Sequence, residues 1–277
     1  MSLFERISKE ITQRRLSAGL VLITLTFLLF PFPIPIKVSS WTMDFYDELI
    51  DLPPGSTVIW GKTWGGVPPP RAGFTIIPCL MKFLMENEIR IIYASFADAT
   101  PTNFYTFMID YAHPEDYGYV YGEHWVVLPF VAGMETAMAA VANDLRVTEV
   151  DMWGTPLDEL PVMDGLYTIA DCDVAFIRSG FAEIHMFVRQ WPIEHGITTL
   201  CTYCYSIIAP YYGVYVQGVL DTNRGYAEFE YMVGFPGEEL LFFQIRNIIA
   251  PIIFVTIVIG NVADYYIKKK KYVEVRT

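Results

Sequence analysis

The chain has 277 residues, 53% of them apolar, and a mean hydropathy of +0.33. Such a value is high for a soluble protein, so membrane-spanning segments are the first features to look for. The formal charge of −12 at pH 7 disfavours nucleic acid and anionic lipid headgroups as partners. A solvated acidic surface, a bound cation, a basic partner or an acidic habitat would each account for this charge.

The first membrane span is predicted over 16–36, a stretch without charged side chains that follows Arg14 and Arg15. Residues 1–15 have the apolar spacing of a short amphipathic helix on the cytoplasmic face of the membrane, and a simple helical extension of the span explains the same spacing equally well. The span ends in "PFPIPI", whose three prolines favour extended backbone. In lipid such backbone must be covered by protein, so we expect it to pack on the second span or another subunit. The alternative is a signal peptide cleaved near Ser40, but the long, partly acidic segment before the apolar run favours an uncleaved anchor.

The second span is predicted within a long helix over 238–267, which begins with acidic residues and is kinked at Pro251. A basic tail, 268–277, follows it. The first 16 residues carry four Lys/Arg and the last 15 carry five, whereas the part between them carries ten against 27 Asp/Glu. Short basic ends stay in the cytoplasm. We therefore predict a two-pass protein of the cell membrane, with both termini cytoplasmic and an acidic domain, 37–237, outside.

The outer domain alternates short apolar runs with helical patterns. Near-continuous apolar strands separated by helices are typical of a parallel sheet covered on both faces. We predict an α/β fold with three layers, a doubly wound and mainly parallel sheet, flanked by the two transmembrane helices. Residues 146–172 break the rhythm and are predicted to form an ordered excursion over one sheet edge. The predicted strands are 56–60, 89–96, 124–131, 173–179 and 197–201, and the predicted helices are 72–86, 102–112, 133–145, 181–195, 206–217 and 225–233.

The pair Cys201-x-x-Cys204 lies where a predicted strand turns into a predicted helix, a position used by thiol redox motifs. The sequence has no second C-x-x-C for a zinc site, and no helix start at the first cysteine that would acidify its thiol. Three interpretations stay open: buried free thiols, a structural disulfide, and redox or metal chemistry. Buried thiols at the end of a core strand are favoured.

Three further motifs are weak. "GSTVIWGKT" (55–63) has five residues between its glycines where a phosphate loop needs four. Ser179 follows a strand, as hydrolase nucleophiles do, but the flanking glycines of G-x-S-x-G are missing, so a turn or capping serine is favoured. The histidines and acids of "HPEDYGYVYGEH" (113–124) match no metal-site spacing and are interpreted as a polar loop. No metal and no cofactor is predicted.

A ligand site, if there is one, is expected beyond the carboxyl ends of the strands, where open α/β sheets bind ligands. The side chains predicted to converge there would hold a small polar or anionic molecule through their two cations. These candidate ligand-binding residues are Lys62, Thr63, Asp98, Glu135, Arg178, Ser179 and Cys201.

Two stretches, "WGTPLDELPVMDGL" (153–166) and "APYYGVYVQGVLDTNRGYAEFEYM" (209–232), resemble a family of membrane-anchored prokaryotic, largely archaeal, proteins without an assigned function. The resemblance covers about half of the outer domain and implies a membrane-anchored α/β fold, with no catalytic residues to carry over. Similar proteins have a glycine-rich stretch after the "QG" element, where this chain has "VLDTNR" (219–224). The resemblance therefore carries over no pocket formed there by close approach of the backbone.

These features favour a non-catalytic structural or assembly subunit of a larger membrane complex, with the bilayer and further copies of itself or other subunits as partners. The proline strip, the protruding second helix and the 16% aromatic content all suit lateral contacts. One alternative is a ligand-binding module of a transporter or sensor that uses the strand-end crevice. A second is an extracytoplasmic hydrolase or thiol oxidoreductase.

Overall fold

A computed structural model describes residues 13–29, 35–63, 76–96, 100–178, 183–202, 205–222, 224–235 and 237–274. The chain divides into two compact units. Residues 36–239 form one unit, and residues 1–35 together with 240–277 form the other. The first unit is an α/β domain and the second contains two apolar helices.

The helices and strands follow the predicted alternation along most of the chain. The strands are β1 Thr57–Lys62, β2 Arg90–Ser95, β3 Trp125–Phe130, β4 Val174–Arg178, β5 Thr198–Cys201 and β6 Gly218–Val219. The helices are α1 Gln13–Leu29, α2 Ser40–Ile50, α3 Ile76–Glu86, α4 Thr100–Phe107, α5 Glu135–Asn143, α6 Glu183–Val188, α7 Tyr205–Ile208, α8 Gly225–Val233 and α9 Glu238–Glu274. Single π-helical turns, Met108–Ala112 and Arg189–Ile193, extend α4 and α6.

All six strands pair in parallel, in the order β3-β2-β1-β4-β5-β6. This is the order of a doubly wound, Rossmann-like sheet, in which the chain moves outward from β1 and then restarts at β4 on its other side. Strands buried on both faces read as continuous apolar runs, and β1 is buried along its whole length. The predicted α/β class and the five predicted strands are therefore confirmed.

Helices cover both faces of the sheet. The front face, covered by α2, α3, α4 and α8, buries Trp60, Phe176 and Phe229. The back face, covered by α5 and α6, buries Ile177 and Trp191. Side chains alternate between the faces along each strand, so neighbouring residues of one strand belong to different cores.

The excursion over 146–172 is confirmed as an ordered cover of the free edge of β3. The Met152 amide donates to the Val127 carbonyl at 3.0 Å, and the Val162 amide donates to the Gly122 carbonyl at 3.0 Å. The segment contains short 3₁₀ turns and buries several apolar side chains, among them Leu157, Val162 and Ile169, in the back core. An edge strand covered in this way does not present its backbone to other chains.

The prediction of a helix over 206–217 is wrong. Helix α7 ends at Ile208, and the chain then turns through Pro210 and Gly213, whose φ is +75°. Proline removes a helical amide donor, and a left-handed backbone ends a helix. The two-residue strand β6, which no sequence pattern marks, follows instead.

The second unit supplies the membrane features. Among the described residues, Glu238–Tyr266 within α9 is the one helix that is long and apolar enough to cross a membrane. Helix α1 has 17 residues, or about 26 Å, slightly short of a ~30 Å hydrocarbon core. Residues 30–34, which include most of the predicted proline strip, lie outside the described part. Two predicted spans thus correspond to one candidate span and one shorter apolar helix.

Candidate functional site

The candidate site lies at the carboxyl edge of the sheet, between β1 and β4. These strands are adjacent in the sheet but distant in sequence, because the connection from β3 to β4 returns the chain from the edge to the middle. The connection after β1 leads toward one edge of the sheet and the connection after β4 leads toward the other. The position between two such strands is the topological switch point, at which doubly wound folds bind ligands. Lys62 ends β1 and Arg178 ends β4 at this point.

A row of polar residues crosses the front face at this edge. Lys62 is the register partner of Arg178 on one side and of Ser95 on the other. Register partners on neighbouring parallel strands project from the same face. Thr202, directly after β5, donates its amide to the Ile177 carbonyl at 3.1 Å and continues the row beside Arg178. All four residues are buried.

Lys62 is an unusual buried cation. Its exposed fraction is 5%, and within the described ranges its ammonium group makes no hydrogen bond and no ion pair. Burial, and to a smaller extent the neighbouring Arg178 guanidinium, lower the pKa of Lys62 to about 7. Burying a charge without a partner is costly, and a like charge next to it adds to the cost. The geometry therefore favours either a neutral amine or a bound anion.

Arg178 connects this row to α8. Its exposed fraction is 3%. Burial raises the pKa of Tyr226, on α8, to about 12, while the positive charge of Arg178 acts in the opposite direction. The Tyr226 hydroxyl donates to the Thr202 carbonyl at 3.1 Å, which fixes the end of β5 against α8. The front wall of the site is thus held by an ordered contact.

Two hydroxyl groups at this edge have unused hydrogen-bonding capacity. The Thr202 and Thr63 side-chain oxygens are buried and have no hydrogen-bond partner among the residues that the structure describes. Thr63 donates its amide to the Arg178 carbonyl at 3.2 Å, so its position is fixed by β4. Buried polar groups are nearly always hydrogen-bonded. Of the two, Thr202 lies in the front-face row with Arg178, and Thr63 projects to the other face.

The predicted site residues separate into three groups. Lys62 and Arg178 are adjacent on the front face, whereas Thr63, the next residue after Lys62 in the same ladder, projects to the opposite face. Cys201 pairs in register with Ile177 and faces the back core, so its thiol lies on the opposite side of the sheet from Arg178. Asp98 and Ser179 lie outside the described residues.

Glu135 is the fifth predicted residue that the structure places, and it has another partner. Its carboxylate accepts hydrogen bonds from Arg189 at 2.8 and 2.9 Å and from Gln190 at 3.1 Å, which ties α5 to the π turn after α6. These donors lower the pKa of Glu135 to about 2. Glu135 begins a helix of the back layer and is not grouped with the cations of the front face.

Sequence reasoning missed Ser95, Thr202 and Tyr226. The first two could have been predicted from the sequence, because side chains two residues apart on a strand project from the same face. Ser95 follows Tyr93, and Thr202 follows Leu200, both of the front core. Tyr226 had no such signal, since α8 lies far from β4 in sequence.

The back of β1 is closed by aromatic side chains. A Cβ atom at Gly61 would lie 2.2 Å from the Trp191 ring and 2.6 Å from the Phe187 ring. The Trp191 indole N–H donates to the Met138 carbonyl at 3.2 Å, which holds the ring in place. Only glycine permits this approach, so the strand next to Lys62 is fixed from behind.

The donor set does not resemble a metal centre or a dinucleotide site. The described ranges contain no group of three or more His, Cys, Asp or Glu side chains placed to hold a metal ion. The sequence after β1, "KTWGGVPPPR" (62–71), lacks the G-x-G-x-x-G pattern of dinucleotide-binding folds. What the described residues offer on the front face is two buried cations and the Thr202 hydroxyl, which has no hydrogen-bond partner among them.

Comparison with known proteins assigns no family. No protein-family model matches the chain, and no curated protein sequence matches it significantly. The resemblance to membrane-anchored archaeal proteins therefore stays a prediction, and the function has to be argued from the site.

Proposed function

We propose that this protein is a membrane-anchored, extracytoplasmic domain that binds a small anion between Lys62 and Arg178. The observation that carries the proposal is the buried Lys62 ammonium group, which has no hydrogen bond or ion pair within the described residues and lies beside a second buried cation. Among the alternatives drawn from the sequence, the ligand-binding module of a transporter or sensor fits this arrangement best.

An anion would remove the energetic conflict at this site. The buried Lys62 ammonium group has lost its hydration and lies beside a like charge. A carboxylate or phosphate group between them would accept charge-assisted hydrogen bonds from both side chains, and the guanidinium group is suited to bidentate contacts. The Thr202 hydroxyl, in the same row as Arg178, is available as a neutral donor.

Charge and hydropathy support a membrane location. Helix α9 contains the candidate span, and the Lys/Arg residues concentrate at the two chain ends, while the domain is acidic. Short basic segments remain cytoplasmic. We therefore propose a two-pass topology, with α1 as the first anchor, both termini inside and the domain outside.

The test is calorimetric titration of the full-length protein in mild detergent with inorganic phosphate and with acetate at pH 7. We expect binding of at least one anion, accompanied by partial proton uptake because the bound anion favours the charged form of Lys62. Lys62→Met should lower the affinity at least about tenfold, since a charged partner is lost. Lys82→Met is the matched control, because Lys82 lies on α3, away from the row. Absence of binding by the wild-type protein would refute the proposal.

A second candidate is the structural subunit of a larger membrane complex. It is favoured by large side chains exposed on the domain, with exposed fractions of 59% at Trp153, 63% at Tyr167 and 67% at Val214. Aromatic residues of this kind are enriched in protein interfaces. The native mass of the protein extracted from its own membranes decides this candidate: a discrete large assembly supports it, and a monomer contradicts it.

A further inference from the structure

The segment that covers the edge of β3 carries an exposed tryptophan on a tight loop. Val150 and Pro156 form an antiparallel bridge, so the residues between them turn back sharply. The buried carboxylate of Asp151 accepts hydrogen bonds from the Trp153 and Thr155 amides, at 2.8 Å each. The backbone of Trp153 is therefore fixed, although 59% of the residue is exposed.

A series of aromatic rings supports this tryptophan from the domain. The Trp153 and Tyr105 rings are nearly perpendicular, with centroids 5.1 Å apart. The Tyr105 ring in turn lies 5.5 Å from the Trp125 ring and 5.9 Å from the Tyr121 ring, measured between centroids. The Tyr121 hydroxyl donates to the Asp151 carboxylate at 2.9 Å, which ties the rings to the loop. A rigid, exposed tryptophan loses little conformational entropy on binding, and such residues are frequent hot spots of interfaces.

The surface around Trp153 is acidic. The excursion over 146–172 has six Asp/Glu and one basic residue, Arg146. The Arg146 guanidinium is already engaged, because it pairs with Asp158 at 2.8 Å and donates to the Met163 carbonyl at 2.7 Å. A positively charged partner is therefore favoured over a neutral or acidic one. Three exposed carboxylates of the excursion have no hydrogen bond or ion pair with any described residue: Glu149, Glu159 and Asp164.

The chain itself shows how an arginine binds to this surface. The Arg146 guanidinium lies 4.7 Å from the centroid of the Tyr167 ring, which is largely exposed, while it pairs with Asp158. A guanidinium group stacks well on an aromatic face, and a neighbouring carboxylate adds a charge-assisted contact. An arginine from a partner would find the same combination at Trp153, with Glu149 at the base of the same loop.

We propose that the surface around Trp153 binds a basic, arginine-containing segment of another protein. A second copy of this chain does not fit, because residues 36–239 contain 27 Asp/Glu against nine Lys/Arg, and two such domains repel each other. The inference does not depend on the anion site, since the excursion covers the free edge of β3, two strands away from β1.

The test measures binding of fluorescein-labelled nona-arginine and nona-lysine peptides to the full-length protein in mild detergent, by fluorescence anisotropy. Charge alone attracts the two peptides equally, whereas the planar guanidinium group also stacks on an indole ring. We expect nona-arginine to bind roughly two- to fivefold more tightly, the factor that an exposed cation–π contact supplies. Trp153→Ala should remove this preference, and Tyr215→Ala, at another exposed aromatic position, should retain it.

The contribution of charge is tested separately. Glu149→Gln combined with Glu159→Gln should weaken binding of nona-arginine at least about twofold, because two exposed ion pairs with the peptide are lost. Glu194→Gln, at an exposed position outside the excursion, is the matched control and should change the affinity less.

Cross-linking in cells identifies the natural partner. With p-benzoylphenylalanine in place of Trp153, a cross-link to a Lys/Arg-rich peptide of another protein supports the inference. A cross-link to a second copy of this chain, or no cross-link, would overturn it. Equal affinity for the two peptides, or an unchanged preference in Trp153→Ala, would overturn it as well, whether or not the protein binds phosphate. Lys62→Met should leave the peptide preference unchanged, so the two proposals fail independently.

Discussion

Glu228, on α8, accepts two hydrogen bonds from Ser39, one from its amide at 3.1 Å and one from its hydroxyl at 2.5 Å, although 189 residues separate the two. Ser39 is the N-cap residue of α2. The same fully buried carboxylate also accepts from the Thr42 hydroxyl at 2.7 Å and pairs with Arg224. A negative charge at a helix N-terminus is stabilising. Glu228 therefore caps α2 from a distant part of the chain.

Glu228→Gln should destabilise the domain by roughly 1–3 kcal/mol, because it removes the charge of a fully buried carboxylate that accepts several hydrogen bonds and pairs with Arg224, whose side chain is 39% exposed. The thermal unfolding midpoint of the full-length protein measures the loss. Glu194→Gln, at an exposed position, is the control and should change little. Equal midpoints for the two variants would show that the carboxylate charge contributes nothing.

Gly61→Ala should lower the unfolding midpoint clearly, since the added methyl group would lie 2.2 Å from the Trp191 ring. Overpacking of a dense core costs about 1–3 kcal/mol. Gly260→Ala, with open space around its Cβ position, is the matched control and should be neutral or stabilising. Combining Gly61→Ala with Trp191→Phe removes the clashing ring atoms and should recover part of the loss; a double variant less stable than either single variant would contradict this explanation.

Because of Lys62, the free energy of unfolding should increase with pH above about 7. Its pKa is about 7 in the folded protein and about 10.4 in an unfolded chain. Between these values the unfolded chain binds more protons, so the free energy of unfolding rises with pH from about 7 to about 10, and below pH 7 this contribution to the slope vanishes. Lys62→Met, compared with wild type at pH 6 to 9, should be the more stable form at low pH, and its advantage should shrink by roughly 1 kcal/mol per pH unit above 7. Parallel curves would refute the lowered pKa.

Cys201→Ala should reduce stability without reducing anion binding. The Cys201 thiol is fully buried in the back core, on the face opposite Arg178. Truncating a buried side chain leaves a cavity, with a cost that depends on how far the site collapses. The melting midpoint and the anion affinity are measured on the same sample. Loss of binding with an unchanged midpoint would place the cysteine in the site and revive the thiol-chemistry interpretation.

The two-pass topology predicts the behaviour of two alkaline phosphatase fusions in a bacterial host. A fusion after Gly234, before α9, should be active, because the enzyme is exported with the domain. A fusion after Thr277 should be inactive, because the second span returns the chain to the cytoplasm. Equal activity of the two fusions would show that α9 does not cross the membrane.

The sheet was predictable because its signal is local. Each of the five longer strands is a short apolar run rich in β-branched or aromatic residues, which only a buried parallel sheet accommodates well. Helix α2 was missed because its stabilisation is not local: it buries only Thr42, Phe45 and Leu49, and its cap is completed by Glu228. Strand β6 was missed because two residues carry no periodicity.

The sequence also predicted one part of the site, the pair Lys62 and Arg178, from a pattern that needs no knowledge of distant contacts. The rule that parallel strands end at one edge brings Lys62 and Arg178 together without further information. It does not state which face a side chain occupies, and this is why Cys201 and Glu135 were grouped with them. The alternation within β4, Phe176 to the front and Ile177 to the back, carries that information once the register with β5 is known.

The contact between Ser39 and Glu228 also sets an order of events during synthesis. The chain emerges from its N-terminus, so α2 is made long before its cap, and Gly218, against which Phe45 packs, is made nearly as late. Contacts of such sequence separation form slowly. Helix α2 therefore cannot dock until almost the whole domain has been translated, and a chain truncated before Glu228 is expected to be a substrate for quality-control proteases.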